Sequence, residues 1–194
     1  QPMVEHASMA YMKQNPDEII MVQGGGSGVG LAQVAAGSFQ IGNSDIFAEE
    51  KSGIAVDKII DHKVAVIGFA PIINKKLKVS NLTQQELIDI FTGKITNWNQ
   101  VGGSDGEINV ITREEGSGTL DAFESIVMGD SKIKDDAVVQ SSTEAVKQSV
   151  SQDPNAIGFV SYAHMSDDIK AVNVNGVAPS DATRSEERRV GKEC

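Results

Sequence analysis

Apolar residues near the start of the chain recur at helical spacing. The positions that would share one helix face are Met3, Ala7, Ala10 and Tyr11. Pro16 is expected to end this helix, because proline cannot continue the backbone hydrogen bonding. Apolar runs with breakers on either side predict three strands, at 19–22, 39–41 and 63–69, and a second helix is expected over 29–36.

The same alternation continues beyond residue 75. Thr83 and Glu86 form a capping box before an amphipathic helix that Gly93 is expected to end. Ser141 and Glu144 form a second box, before a helix over 143–152, and a shorter helix is expected to pass through Phe123 and Ile126. Strands are expected over 108–111, 157–162 and 170–174.

Strands alternating with helices predict an α/β fold with a largely parallel sheet. Two such blocks indicate two lobes with a central cleft. We expect a first lobe over 1–70, a second over 71–176, and a return segment with a tail over 177–194.

The charge balance narrows the class of protein. Seventeen Lys and Arg face 27 Asp and Glu, a formal net charge of −10. Nucleic acids and anionic membrane surfaces select basic proteins, so both are excluded as partners. No apolar run reaches the length of a membrane helix. Residues 1–180 contain 12 Lys but one Arg, Arg113, whereas the last fourteen residues hold three Arg and the single Cys194.

Two segments, at 22–30 and 110–122, each run from a strand through a Gly/Ser loop into a helix. Exposed loop amides and a helix N-terminus together attract anions, and Ser27, Ser117 and Thr119 add hydroxyl donors. The alternative is two ordinary turns with Ser/Thr caps. One such loop in each block favours a single anion shared in the cleft.

The two loops do not fit the usual nucleotide or hydrolase motifs. Leu31 stands where a P-loop requires Lys, and the dinucleotide glycine spacing is absent. Val29 and Thr119 replace the final glycine of the esterase motif. No base–nucleophile pair is evident, so we do not expect an enzyme. The three histidines, His6, His62 and His164, lack metal-ligand spacing and are expected to be structural or exposed.

Arg113 and Asp45 are the charged candidates for an anion site. A guanidinium forms bidentate hydrogen bonds to tetrahedral oxyanions, which favours Arg113 as a ligand over a surface ion pair with Glu114 or Glu115. A carboxylate accepts a hydrogen bond only from an oxyanion that still carries a proton. Asp45 could therefore select monohydrogen phosphate against sulfate. Local sequence alone favours an Asx turn or a helix cap for Asp45.

Five motifs, GGGSGVG, IGNSDIFAEE, FTGKITNW, REEGSGT and IGFVSYAH, occur in this order between Gln1 and about Pro179. Together they resemble the phosphate-binding subunit of bacterial phosphate ABC transporters. The resemblance implies a type II periplasmic-binding-protein fold that holds phosphate between two lobes without metal or cofactor. It implies a site with Asp45 as an acceptor, and Ser44 beside it is a further candidate. The ligands carried over by motif are Ser27, Asp45, Arg113, Ser117, Gly118 and Thr119.

The resemblance also implies the biological setting. The protein is expected to be an extracytoplasmic monomer that delivers inorganic phosphate to permease subunits. Two alternatives stay open: a binding protein for another oxyanion such as sulfate or molybdate, and a phosphate-sensing or surface protein on the same fold.

The sequence departs from the family pattern at both ends. Family members carry a strand and a donor loop before the first helix, and further elements after residue 180. Here the chain starts at Gln1, and a tail reading ATRSEERRVGKEC follows Asp181, which is typical of vector-derived sequence. We therefore expect an incomplete first lobe and weak phosphate binding by this chain.

Overall fold

The computed structural model describes residues 2–64 and 68–179, with side chains from residue 4 onwards. In this part of the chain the helices are α1 (Pro2–Gln14), α2 (Ser27–Ala35), α3 (Gln84–Phe91), α4 (Gly118–Phe123) and α5 (Thr143–Gln152). The strands are β1 (Phe69–Asn74), β2 (Asn81–Leu82), β3 (Asn109–Arg113), β4 (Val138–Gln140), β5 (Ala156–Ser161), β6 (Ile169–Ala171) and β7 (Asn173–Val174). A π-helical turn, Glu124–Met128, extends α4.

The main sheet has the strand order β4-β3-β5-β1-β6, and β2 pairs with β7 in a small second sheet. Strand β3 is parallel to both β4 and β5, but β1 is antiparallel to β5 and β6. The sheet is therefore mixed rather than largely parallel. The βαβ pattern of the second half correctly indicates parallel neighbours, but it carries no information on the direction in which β1 enters the sheet.

Helices cover both faces of the main sheet. Alternate residues of each strand point to opposite faces, so Ile73 packs with α3 and α4, whereas Ile72 packs against Val146 and Val150 of α5. The side chain of Asn74 also links β1 to the backbone of α5, because Asn74 Nδ2 donates to the Val150 and Ser151 carbonyls at 2.9 Å each. The core is thus a helix–sheet–helix sandwich.

An aromatic cluster fixes α4 on the sheet. The Phe123 ring stacks on Phe159 with centroids 4.2 Å apart and lies 4.7 Å from the Phe91 ring. Trp98 is fully buried nearby, and its Nε1 donates to the Asn155 carbonyl at 2.9 Å. Because Phe123 ends α4, this packing sets the position of the whole helix, including the loop that precedes it.

The predicted ends of α3 and α5 agree with the structure, with one exception. The Thr83 and Glu86 capping box is present, and Gly93 has a positive φ of 80° just after α3. For α5 the cap is Ser142, whose Oγ accepts a hydrogen bond from the Ala145 amide at 3.1 Å. The sequence pattern indicates Ser141, the residue before it, because two adjacent serines fit the capping pattern almost equally well.

The strands predicted at 19–22 and 39–41 are wrong. Both segments are irregular, and the side chains of Ile19, Met21 and Ile41 are 84%, 81% and 77% exposed. A strand requires a neighbour to complete its hydrogen bonds, and no strand lies beside these segments in the part of the chain that the structure describes. Helices α1 and α2 form where the sequence predicts them.

Part of the sequence-based division lies outside the described residues. In the run 63–69, residues 65–67 are not described, and the strand that the structure shows is Phe69–Asn74. This strand spans the expected boundary at residues 70 and 71, and the lobe division stays a prediction. The tail beyond residue 179 likewise lies outside the described residues.

We expect Phe123→Ala to lower the free energy of unfolding by about 3–5 kcal/mol, because it empties the space between two packed rings. Urea unfolding monitored by Trp98 fluorescence measures this loss. Phe47→Ala is the control, since the Phe47 side chain is exposed and its removal should change stability by about 0.5 kcal/mol or less. Equal losses in the two variants would contradict the role of the cluster.

Candidate anion-binding site

The first glycine-rich loop leads into α2. Gly26 is the N-cap residue and Ser27 opens the helix with its side chain buried. The N-terminus of a helix carries a positive partial charge, and this end of α2 also carries the buried Ser27 hydroxyl. The sequence achieves this geometry with small residues, which let another backbone approach closely.

The second glycine-rich loop lies directly against the first. The Gly28 amide donates to the Gly116 carbonyl at 3.4 Å. A Cβ on Gly26 would overlap that same carbonyl, whereas one on Gly28 would meet nothing closer than 3.5 Å. The structure therefore brings together the two loops that the sequence pattern singled out, and the contact requires glycine at position 26.

Asp45 joins the two loops at their point of contact. Its amide donates to the Ser27 Oγ at 3.0 Å. A Cβ on Gly118 would overlap the Ser27 Oγ and lie 2.9 Å from the Asp45 Cβ. Residues from three separate segments, Ser27, Asp45 and Gly118, are thus in mutual contact. The segment that carries Asp45 is held by another glycine contact, because Gly30 and Gly42 face each other's backbone.

The N-terminus of α4 contributes the remaining donors on this side. Ser117 is the N-cap residue, and its Oγ accepts from the Leu120 amide at 3.4 Å. The first backbone bond of the helix runs from the Asp121 amide to the Ser117 carbonyl, so the amides of Gly118 and Thr119 precede it. The side chain of Thr119 is partly exposed. These groups form a cradle of N–H and O–H donors.

Arg113 ends β3, and its guanidinium is held by the segment before α5. Its Nε donates to the Gln140 carbonyl at 3.2 Å, and its terminal nitrogens donate to the Thr143 Oγ1 at 3.3 Å and the Ser141 carbonyl at 3.4 Å. The Glu114 carboxylate is farther away, at 3.9 Å. These bonds occupy only part of the donor fork, so the guanidinium is oriented while other N–H groups are left for a ligand.

Opposite charges act on each other across the site. Burial by surrounding groups raises the pKa of Asp45, and the charges of Arg113 and His164 partly offset this rise. Burial lowers the pKa of Arg113, and Glu114 and Asp45 oppose that change. A raised pKa means that the Asp45 carboxylate is poorly solvated here. Such a carboxylate is suited to accept a hydrogen bond from a ligand that carries a proton.

Ser44 is placed differently from the other candidates. Its Oγ donates to the Ile46 carbonyl at 2.7 Å and accepts from the Ile46 amide at 3.2 Å. The hydroxyl is thus used within its own turn. A ligand role for Ser44 stays a prediction, and the structure does not bring its hydroxyl into the cradle.

Sequence reasoning missed two features of this region. The segment 140–143 orients Arg113, but the sequence pattern assigns Ser141 only to a helix cap. Lys51 forms an ion pair with Asp121 beside the cradle. Both features depend on contacts between distant segments, and no local pattern indicates them. His164 is exposed, in agreement with the expectation for the histidines.

Within the described residues, no cluster of three or more His, Cys, Asp or Glu side chains could hold a metal ion. None of the helices in that part of the chain is long and apolar enough to cross a bilayer.

Comparison with known proteins defines the family. Residues 1–188 match the family model described as a PBP superfamily domain. The chain is 42% identical over 180 residues to the phosphate-binding protein PstS of Bacillus subtilis, in an alignment that covers 92% of this chain and 60% of that protein. This chain therefore spans 60% of the length of that relative.

Solved structures agree with the sequence comparison. A protein described as a phosphate ABC transporter substrate-binding protein, with bound phosphate, from Clostridium perfringens matches with a TM-score of 0.85 and 33% identity, covering 96% of this chain and 76% of that one. An ABC-type phosphate transport receptor from Vibrio cholerae matches with a TM-score of 0.79 and 29% identity, covering 96% and 78%. The chain has the fold of the type II periplasmic binding proteins, as expected. It belongs to the PBP superfamily.

The contact between the two glycine loops can be tested with a matched pair of substitutions. Gly26→Ala should lower the free energy of unfolding by about 1–3 kcal/mol, because the added methyl group overlaps a backbone carbonyl that cannot rotate away. Gly28→Ala, two residues further on, should leave stability within about 0.5 kcal/mol or raise it, since alanine favours helices. Thermal unfolding of both variants measures the difference, and equal stabilities would contradict the close approach.

Proposed function

We propose that the protein binds inorganic phosphate in the cradle formed by Ser27, Asp45 and the N-terminus of α4, with Arg113 as the guanidinium clamp. The observation that carries this proposal is the mutual contact of Ser27, Asp45 and Gly118. It places one carboxylate among hydroxyl and amide donors. Such a mixture fits an oxyanion that both accepts hydrogen bonds and donates one, which is the property of monohydrogen phosphate at neutral pH.

The acidity of the chain does not oppose this proposal. An extended polyanion needs a basic surface, but one small oxyanion needs only local positive potential. Helix N-termini, backbone amides and hydroxyls supply that potential at α2 and α4, and Arg113 adds a full charge. No bond is made or broken in such a site, so binding is reversible and the protein acts as a carrier rather than as an enzyme.

The family relationship supports the biological role. Its relatives are named for phosphate binding and phosphate transport. We therefore propose that this protein works as an extracytoplasmic monomer that captures phosphate and passes it to the permease subunits of an ABC transporter. Release at the permease requires that the cradle open, because phosphate held on several sides cannot leave otherwise.

Arg113→Lys should weaken phosphate binding by about tenfold to a hundredfold, because an ammonium group cannot reproduce charge-assisted bonds that a planar fork makes. Arg113→Ala should weaken it further. Isothermal titration calorimetry measures both affinities, and circular dichroism checks that the fold is retained. Unchanged affinity in both variants would rule out the clamp. Lys132→Met, an exposed cation on the same part of the chain, is the control and should bind like the parent.

Asp45→Asn should relax the exclusion of sulfate, because an amide can donate to a fully ionised oxyanion whereas a carboxylate repels it. Asp17→Asn, an exposed aspartate, is the control. Competition calorimetry with sulfate at neutral pH distinguishes the variants. Sulfate excluded as strongly by Asp45→Asn as by the parent would contradict this role.

The pH dependence of sulfate binding follows from the same carboxyl group. Its pKa is raised by burial, so Asp45 takes up a proton at a higher pH than an exposed aspartate does. A protonated carboxyl can donate to sulfate. Sulfate affinity of the parent protein should therefore rise as pH falls through this pKa, and Asp45→Asn should not show that rise. A rise of equal size in both proteins would assign the effect to another group.

A further inference from the structure

Lys51 and Asp121 form an ion pair between two segments that are far apart in sequence. The Lys51 Nζ lies 2.8 Å from one carboxylate oxygen of Asp121 and 2.9 Å from the other. Their side chains are 28% and 18% exposed, whereas the other ion pairs of the described residues each have one partner at least 50% exposed. Both oxygens share one ammonium, which restricts the rotation of each side chain.

Each partner lies on an element that carries part of the proposed phosphate site. Lys51 follows the short 3₁₀ helix Ala48–Glu50, six residues after Asp45. Asp121 lies in α4, two residues after Thr119. The ion pair therefore joins the segment that presents the carboxylate to the helix that presents the donors.

The stem of Lys51 also lies close to the third element of the cradle. Its Cε is 3.5 Å from the place where a Cβ on Gly28 would stand, in the first turn of α2. The Lys51 side chain thus passes beside α2 and ends in the ion pair with α4.

The surroundings of the pair explain why a cation is needed there. A cavity of about 520 Å³ beside the second glycine loop is lined by Lys51 and by three acidic residues, Glu115, Asp121 and Glu124. Like charges so close to an anion site would oppose phosphate binding. Lys51 is the cation in this lining and offsets part of that negative charge.

We propose that Lys51 and Asp121 are positioning residues that hold the Asp45 segment and the N-termini of α2 and α4 in the geometry that binds phosphate. The pair does not contact the ligand itself. This proposal rests on the proposed phosphate site. It adds to that site the two residues that align its separate segments.

A double-mutant cycle in phosphate affinity tests the pair. Lys51→Met and Asp121→Asn should each weaken phosphate binding by about threefold to tenfold. The double variant should lose no more affinity than the single variant with the larger loss. Lys51→Arg should restore affinity to within about twofold of the parent, because it keeps the charge. Lys94→Met, which breaks an exposed ion pair with Asp89 on α3, is the control and should not change affinity. Additive losses, or no loss, would overturn the proposal.

Amide hydrogen exchange gives a second test that does not depend on phosphate. The amides of Asp45 and Gly28 donate across the segments that the pair holds together, to the Ser27 Oγ and the Gly116 carbonyl. Both should exchange about threefold to tenfold faster in Lys51→Met than in Lys94→Met. Unchanged exchange would overturn the positioning role. If the parent protein bound no phosphate while exchange increased as expected, the phosphate site would be refuted and the positioning role would stand.

Discussion

The site depends on one steric constraint: two helix N-termini approach so closely that no side chain fits between them. Gly26 faces the Gly116 carbonyl, and Gly118 faces the Ser27 Oγ. Each contact is possible only because a Cβ is missing. The gain is electrostatic, since the contact brings the positive N-terminal ends of α2 and α4 close together. Packing in the core holds the two loops in this close contact. The stacked rings of Phe123 and Phe159 fix α4, and α4 in turn fixes the second loop.

The same constraint explains how a strongly acidic protein can serve an anion. The formal charge of −10 describes the whole chain, but a buried oxyanion interacts mainly with the groups within a few ångströms. In the proposed site those groups are amides, hydroxyls and Arg113, and Asp45 is the exception among them. Carbonyls of the segment 140–143 orient the guanidinium, so the positive charge is fixed in place before any ligand arrives. Such preorganisation lowers the entropic cost of binding, because the donors need not be ordered by the ligand.

Sequence patterns predicted the second half of the chain well and the first half poorly, for physical reasons. The caps at Thr83 and Gly93 are local interactions, so they can be read from a few residues. The exposed runs at 19–22 and 39–41 have strand-like composition, but strand formation depends on a neighbour that no local pattern reveals. The chemistry of the two glycine loops and of Arg113 singles them out in the sequence, and the structure shows that the two loops are in contact. Their convergence, the hydrogen bonds that hold Arg113 and the Lys51–Asp121 pair are long-range contacts, which sequence spacing alone does not encode.

The antiparallel placement of β1 has a consequence for how the chain acquires its structure. Phe69 pairs with Ser161, and Ile72 pairs with both Gly158 and Ala171, so the partners of β1 are made only near the end of the described chain. Until then this strand, with its adjacent Pro71, Ile72 and Ile73, has neither hydrogen-bond neighbours nor a core to enter. Folding by such distant contacts is slow, and an apolar strand left unpaired during synthesis is prone to aggregate. Because β1 lies between β5 and β6, the sheet can be completed only after both of these later strands have been made, and β1 is exposed to aggregation until then.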